Sequence, residues 1–176
     1  MSTATVPSIA CIGVIGKHDN PLHIALFPPH IKQPGAYLEF SFLLNASLDI
    51  FDLRARDKNK VDQDLGLLHA VDERLSVWGW ETGTGVKFAI VLDMWGREGH
   101  QGGLVLGIKE GELKPAFRAL QTAYIRLLQN PFYNPDEHTP MAVATSKGKS
   151  GQITSRKFIA EVERIGMAWR PGVTSI

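Results

Sequence analysis

The residues that could do chemistry in this chain do not form a catalytic pattern. Gly148-Lys149-Ser150 matches the end of a phosphate-binding loop, but that motif also requires glycine five residues earlier, where the chain has Val143. Such a loop follows a buried strand, whereas this segment is polar. Gly83-Thr84-Gly85 lies between two predicted strands, so we interpret it as a hairpin turn and not as a dinucleotide fingerprint. We therefore expect no nucleotide cofactor.

The metal-ligating and nucleophilic side chains are equally dispersed. Six histidines are scattered along the chain without an i, i+4 pair on a helix: His18, His23, His30, His69, His100 and His138. His23 and His69 fall in predicted strands, where half-exposed positions are expected. The single cysteine, Cys11, lies in an apolar run, where burial would raise its pKa and make it a poor nucleophile. The sequence predicts no metal site and no enzymatic activity.

Composition excludes further classes of function. The chain has 176 residues, 44% of them apolar and 21% charged, which is typical of one globular domain over residues 1–176. Its formal charge of +1 comes without a basic run, so nucleic acid is not an expected partner. No apolar segment approaches the roughly 18 residues of a membrane span. Residues Met1–Pro7 do not have the pattern of a secretory signal, and a cytoplasmic location is expected.

Hydrophobic periodicity predicts the element order β-β-α-β-β-β-α-α. The predicted strands are Ile9–Ile15, Leu22–Phe27, Leu65–Val71, Leu75–Glu81 and Val86–Leu92, and the predicted helices are Tyr37–Arg56, Gly111 or Glu112 to Gln129, and Ser155–Trp169. This order indicates an α/β (α+β) fold with a five-stranded, mostly antiparallel sheet, one helix on one face and two on the other. The first and last strands are the most apolar and should be central. A crossover through the first helix should carry the third strand to the far edge.

Two segments do not belong to these elements. Residues 94–109 are a glycine-rich insertion, and residues 139–152 are a polar linker to the C-terminal helix. Trp95 lies on the insertion, where an aromatic side chain either packs onto the body or remains available to a partner. Trp78 and Trp80 share one face of a strand and should pack under a helix. Trp169 continues the apolar stripe of the last helix and should be core.

The first helix is apolar nearly all round. The side chains expected to meet the sheet are Tyr37, Phe40, Leu44, Leu48 and Phe51. The apolar side chains on the opposite side are Leu38, Phe42, Ala46 and Leu53. Either the linker or the insertion folds over this second face, or another protein covers it. Asp49 lies within the second face and suits a polar anchor for a partner's donor. Leu38, Phe42, Asp49, Leu53 and Trp95 are therefore the candidate partner-binding residues.

The second helix ends at a distinctive segment. Its apolar stripe is Leu113, Phe117, Leu120, Tyr124 and Leu127. The segment that follows is Asn130-Pro131-Phe132-Tyr133-Asn134-Pro135. Pro131 lacks an N–H and disfavours the helical region for Asn130, so the helix should stop there. On pattern alone the segment is a packed helix terminus.

The same six residues resemble a hallmark of the sedlin group of TRAPP (transport protein particle) subunits. Ala46–Asp52 resembles the group's A-x-L-D-φ-φ-D segment, where φ is apolar. Asp64–Leu68 and Val77–Phe88 are similar to the subunit 2-like branch. The resemblance extends from about Ile9 to Tyr133, with the four matches in the expected order. The 94–109 insertion and the long segment between Asp136 and Gln152 depart from the pattern of the group.

This resemblance implies a longin-like (profilin-like) fold and a role in vesicle traffic. TRAPP complexes tether vesicles and catalyse nucleotide exchange on Rab-type GTPases in ER-to-Golgi and Golgi traffic. The resemblance implies a non-catalytic adaptor that supports assembly of the TRAPP II-type form, in the cytoplasm and peripheral to ER and Golgi membranes. Its partners would be small core subunits and large TRAPP II-type subunits, with a Rab GTPase contacted only through the complex.

Two other interpretations remain open. A longin regulatory domain of a SNARE-like trafficking protein would continue into heptads, which the chain lacks. A profilin-like small-ligand-binding domain would need a concave site with convergent polar groups, and the sequence shows no such cluster.

Overall fold

The computed structural model describes residues 6–55, 62–97, 107–146 and 151–176. The strands in these ranges are β1 (Ser8–Ile15), β2 (Pro21–Leu26), β3 (Gln63–Ala70), β4 (Leu75–Glu81) and β5 (Lys87–Asp93). The α-helices are α1 (Ala36–Arg54), α2 (Lys114–Leu128), α3 (Pro140–Thr145) and α4 (Arg156–Ala168). Two 3-10 helices, His30–Lys32 and Pro135–His138, complete the described elements.

The strands form one sheet in the order β2-β1-β5-β4-β3, with every neighbouring pair antiparallel. The central strands β1 and β5 are buried at every position, as their continuous apolar sequences predict. The crossover through α1 carries β3 to the far edge. The predicted fold class and strand placement are therefore confirmed.

Helices cover both faces of the sheet, also as predicted. On one face, α1 packs through Phe40, Leu44 and Phe51 against side chains of β1, β3, β4 and β5. On the other face, α2 and α4 enclose a larger core with Phe117 and Ile165 at its centre. Trp80 stacks on Phe117 in this second core, with ring centroids 5.8 Å apart.

The residues of α1 that face the sheet differ in part from those expected from the helical spacing. The buried residues are Ala36, Phe40, Leu44, Ser47 and Phe51. Tyr37 was wrongly placed on this face: it is 48% exposed, and Leu48 is only partly buried. The small residues Ala36 and Ser47 take their positions because α1 lies close to the sheet. A Cβ on Gly79 of β4 would approach the ring of Phe51 to 2.9 Å, so glycine there permits the close approach.

The other tryptophans follow their predicted positions. Trp169 is 2% exposed, and its indole N–H donates to the carbonyl of Glu112 at 3.1 Å. Trp78 is partly buried against the same core as Trp80. Both pack on the side of the sheet that α2 and α4 cover.

The boundaries of α2 and β3 shift by a few residues. The second helix begins at Lys114, after a turn, and not at Gly111 or Glu112. The strand β3 begins at Gln63, two residues before the predicted start at Leu65. Such differences arise because the ends of elements depend on tertiary hydrogen bonds that periodicity does not show.

The segments outside the main elements are described in part. The segment predicted as a linker contains the short helix α3, which Thr139 caps by accepting from the N–H of Ala142. The N–H of Ile153 donates to the carbonyl of Leu22 at 2.8 Å and so covers part of the outer edge of β2. Residues 147–150 of the linker and 98–106 of the glycine-rich insertion lie outside the described residues.

The position of α4 depends on one close contact. A Cβ on Gly166 would lie 2.1 Å from the ring of Phe27, which is 2% exposed and cannot move aside. Gly166→Ala should gain about 1 kcal/mol of helix propensity but lose about 1–3 kcal/mol by overpacking. We expect net destabilisation, measured as a lower melting temperature and a lower urea midpoint.

The control for this change is Ala160→Gly at an exposed position of the same helix. This variant reports the effect of helix propensity alone and should lower the free energy of unfolding by about 1 kcal/mol. A Gly166→Ala protein more stable than the parent would contradict the contact.

Candidate partner-binding surface

One face of α1 is left uncovered by the residues that the structure describes. Leu38, Phe42 and Leu53 are 59%, 63% and 59% exposed, and Asp49 is also exposed. At about 100° per residue these four side chains lie along one line of the helix, opposite the buried stripe. We call them the α1 ridge. Three large apolar side chains in water on a single helix face are more than scattered surface hydrophobics.

The described parts of the linker do not cover this ridge. The side chain of Gln152 reaches α1 and donates to the hydroxyl of Tyr37 at 3.0 Å, beside the ridge. Leu38 and Phe42 remain exposed despite this contact. In the described ranges, the interpretation that the chain folds over this face of α1 is therefore not supported.

The ridge also carries a carboxylate, Asp49, that no residue in the described ranges neutralises. Asp49 makes no hydrogen bond or ion pair with another residue in the described ranges. Asp52, one turn further on, lies 3.9 Å from the ammonium group of Lys87. The same ammonium group contacts Asp19 in the β1–β2 turn at 2.5 Å and is 7% exposed. Lys87 is thus directed towards Asp19 and Asp52, and among the described residues it does not serve as a counter-charge for Asp49.

A second candidate contact is built on a buried charge. Asp93, at the end of β5, is fully buried and accepts hydrogen bonds from three partners. These are Nε2 of His30 at 2.7 Å, Nε and Nη2 of Arg74 at 2.9 and 2.7 Å, and the N–H of Trp95 at 2.9 Å. The guanidinium of Arg74 also lies 4.8 Å from the centre of the Trp95 ring.

This network fixes Trp95 while leaving it exposed. Its side chain is 59% exposed, although its backbone is held by Asp93 and its ring by Arg74. From the sequence, Trp95 is expected either to pack onto the body or to remain available to a partner. In the structure it is both held by its neighbours and exposed. A large aromatic side chain held in one position loses little conformational entropy when a partner covers it.

The hydrogen bonds of this network stabilise the charged forms of Asp93 and Arg74. Burial acts to raise the pKa of Asp93, but the hydrogen bonds from Arg74, His30 and the Trp95 amide outweigh it and hold the pKa below its usual value. The hydrogen bond to Asp93 raises the pKa of Arg74. The pair is therefore ionised at neutral pH.

The segment after α2 has two different faces. Asn130 accepts from the N–H of Phe132 at 3.1 Å, and Asn134 accepts from that of Asp136 at 3.1 Å, which caps the following 3-10 helix. Tyr133 packs against the core under α2 and α4. Phe132, in contrast, is 95% exposed. Both aromatic side chains follow the proline, but only Tyr133 contributes to packing.

The reactive side chains in the described ranges do not assemble into a site. Cys11 is fully buried, and burial raises the pKa of its thiol. Within the described ranges, no group of three or more His, Cys, Asp or Glu side chains is placed to hold a metal ion. None of the helices in these ranges combines the length and hydropathy that a bilayer crossing requires.

Sequence reasoning located the α1 ridge and Trp95 but missed what holds them in place. His30, Arg74 and Asp93 are separated by up to 63 residues. The available signal was a charged residue, Asp93, at the end of the most apolar strand, where a buried partner is required. Lys87, at the start of the same strand, gave the same signal.

The sheet order and the distribution of the helices define a longin-like α+β domain. The sequence model of the Sedlin family matches residues 14–167. The chain therefore belongs to the sedlin family.

Relatives share the similarity over most of the chain. The trafficking protein particle complex subunit 2-like protein of Dictyostelium discoideum is 31% identical over 160 residues, which are 89% of this chain and 95% of that protein. The protein of the same name in Bos taurus is 31% identical over 150 residues, 82% of this chain and 94% of that protein. The Mus musculus protein is 33% identical over 132 residues, 72% of this chain and 84% of that protein.

The buried Asp93 network makes a pH-dependent prediction. Because the pKa of Asp93 is lower in the folded state, its contribution to stability is present above the unfolded value of about 3.9 and is lost as pH falls through the folded value. Asp93→Asn should cost about 3 kcal/mol or more at pH 7. The free energies of unfolding of Asp93→Asn and of the parent, measured in urea, should therefore approach each other as pH falls below about 3.9.

Asp49→Asn is the matched control, since Asp49 is exposed. It should change stability by no more than about 0.5 kcal/mol at either pH. If the difference in the free energy of unfolding between Asp93→Asn and the parent stays constant as pH falls from 7 to well below about 3.9, the carboxylate charge is not what stabilises the network.

Proposed function

We propose that this chain is a non-catalytic adaptor subunit of a TRAPP-type vesicle-tethering complex and that its α1 ridge docks a partner subunit. Membership of the sedlin family and the names of the relatives support the complex. The observation that supports the docking site is the α1 ridge itself, an exposed apolar strip whose carboxylate, Asp49, has no partner among the residues that the structure describes.

The composition of the ridge suits a protein partner. Leu38, Phe42 and Leu53 supply apolar area whose removal from water favours association. Asp49 supplies the directional part, since a buried carboxylate requires a donor on the partner. An Arg side chain or backbone N–H groups would satisfy it, and a charge-assisted hydrogen bond of this kind adds specificity. The partner surface should therefore be apolar with at least one strong donor.

Trp95 offers a second, separate contact in this proposal. It lies at the end of β5, and Asp93 and Arg74 hold it in place. Tryptophan and arginine are both enriched among the residues that dominate binding energy. Two contacts on different elements would fix the orientation of this subunit, which suits an adaptor between other subunits.

The proposal also includes the partner subunits and the location of the chain. The chain would contact small core subunits and large subunits of the TRAPP II type and would help the second set assemble on the first. It would act at ER and Golgi membranes. Any nucleotide exchange on a Rab GTPase would belong to the assembled complex, and this subunit would reach the GTPase only indirectly.

The docking proposal is tested with Asp49→Tyr, which adds bulk and removes the charge. Because Asp49 is exposed, the melting temperature of the isolated protein should stay close to that of the parent. Recovery with other TRAPP subunits in a pull-down should fall more than tenfold, corresponding to about 2 kcal/mol for an interface anchor.

The matched control is Glu163→Tyr, an exposed acid on α4 at the opposite face of the sheet. It should be recovered normally. Normal recovery of Asp49→Tyr would remove the α1 ridge from the interface, and failure of Asp49→Tyr to fold would show that the ridge is structural.

The adaptor role makes a prediction about the isolated chain. Purified protein should not accelerate the release of labelled nucleotide from a Rab GTPase. The measurement is fluorescence decay of a bound nucleotide analogue, with an assembled TRAPP complex as the positive control. Stimulation by the isolated chain would contradict the non-catalytic assignment.

A further inference from the structure

The face of the molecule opposite the α1 ridge has a different charge. The helix α2 carries three basic residues, Lys114, Arg118 and Arg126, and no acidic residue. The helix α4 carries three basic residues, Arg156, Lys157 and Arg164, against Glu161 and Glu163. In contrast, α1 carries three acidic residues and one basic residue. Counted over these helices alone, α2 and α4 are net positive and α1 is net negative.

A cleft opens on the basic side between the end of α2 and the start of α4. Its volume is about 500 Å³, and Arg126, Lys157 and Asn130 contribute donors to its lining. Within the described ranges, neither the side chain of Arg126 nor that of Lys157 makes a hydrogen bond or a close ion pair. Glu161 attracts Arg126 at longer range, so Arg126 is partly compensated and Lys157 is the freer cation. The acid in the cleft, Glu161, already accepts from Arg164 at 2.6 and 3.0 Å. The uncompensated charge in the cleft is therefore positive.

A protruding aromatic side chain stands beside this cleft. Phe132 follows the cleft residue Asn130 by two positions and is 95% exposed. Its N–H donates to the side chain of Asn130 at 3.1 Å, and the N–H of Tyr133 donates to the Asn130 carbonyl at 3.0 Å. Ile125 and Leu128, near the end of α2, are 45% and 41% exposed. The fold therefore holds an apolar tip next to cationic side chains.

We infer that this face of α2 and α4 docks onto the surface of an anionic lipid bilayer. Arg126 and Lys157 contact phosphate-bearing headgroups at the cleft, and Phe132 enters the interfacial layer. The other basic side chains of both helices add long-range attraction to the negative surface. Because the sheet separates this face from the α1 ridge, membrane docking and subunit docking can be tested independently.

The distribution of the groups favours a bilayer over an acidic protein. A protein interface is typically centred on a desolvated apolar cluster with charges at its rim. Here the charges extend along two helices, and the most exposed apolar group is a single aromatic at one end. Diffuse positive charge combined with an exposed aromatic is typical of proteins that bind the membrane interface without crossing it.

The experiment is co-sedimentation of the purified full chain with vesicles. One set contains phosphatidylcholine alone, and the other contains phosphatidylcholine with phosphatidylserine. Binding should be strong only to the anionic set and should fall as salt is raised, because salt screens the attraction between exposed charges. Binding that is equal for both sets, or insensitive to salt, would overturn the inference.

Variants assign the binding to this face. Each basic side chain near an anionic surface is worth on the order of fivefold in partitioning, so Arg126→Glu with Lys157→Glu should lower binding at least twentyfold by that estimate. The matched control Lys32→Glu reverses an exposed lysine next to α1 and should bind nearly normally. Phe132→Ala should weaken binding while leaving the melting temperature unchanged, since the side chain makes almost no packing contact.

Two further probes separate other occupants. Soluble inositol hexakisphosphate tests whether the cleft takes a free phosphate ester, and a polyglutamate peptide tests whether it takes an acidic protein segment. Saturable binding of either probe that depends on Arg126 and Lys157, without vesicle binding, would replace the bilayer by that ligand. The single variants Arg126→Glu and Lys157→Glu supply the same comparison if the double variant does not fold.

Discussion

The antiparallel pair of β1 and β5 is buried at every position, and the remaining elements are placed to cover it. A strand pair without a polar face cannot remain in contact with water, so both faces of the sheet need a helical layer. The helix α1 covers one face of the sheet, and α2 and α4 cover the other. Two helical layers give the molecule two outer surfaces, and their side chains are not constrained by the core. This freedom allows the two surfaces to differ in charge, as the proposed docking of a subunit on one and of a bilayer on the other requires.

The helix α1 shows how little of an apolar helix the fold requires. Its contact with the sheet uses small as well as large residues, because glycine in β4 lets the helix approach closely. The α1 ridge contributes almost no packing in the isolated chain and leaves apolar area in water. An isolated domain gains nothing from such exposure, whereas a subunit of a complex gains binding energy from it. Asp49 has no counter-charge among the described residues, which agrees with the proposal that a partner supplies the donor.

Buried charge is used here to fix surface geometry. Asp93 joins the end of β5, the β3–β4 turn through Arg74 and the 3-10 helix through His30. Removing one member would leave another buried or half-buried charge without a partner, which is costly in a medium of low dielectric constant. The network therefore holds the turn that presents Trp95. Lys87 plays a corresponding part at the other end of the same strand, where it contacts acids from the β1–β2 turn and from α1. Both ends of the central strand β5 thus connect to a surface that is a candidate for binding.

The sequence by itself determined the element order, the two helical layers, the central position of β1 and β5 and the apolar character of the side of α1 that faces away from the sheet. These features follow from periodicity and from the apolar content of single segments, which are local properties. Only the tertiary structure decided that Tyr37 lies outside the core while Ser47 lies within it, because this depends on how closely α1 approaches the sheet. It also decided the contacts of Asp93 with His30 and Arg74, and the exposure of Phe132 beside a partly buried Tyr133. Each of these depends on residues far apart in the chain, whose meeting is set by the sheet topology and cannot be inferred from local spacing.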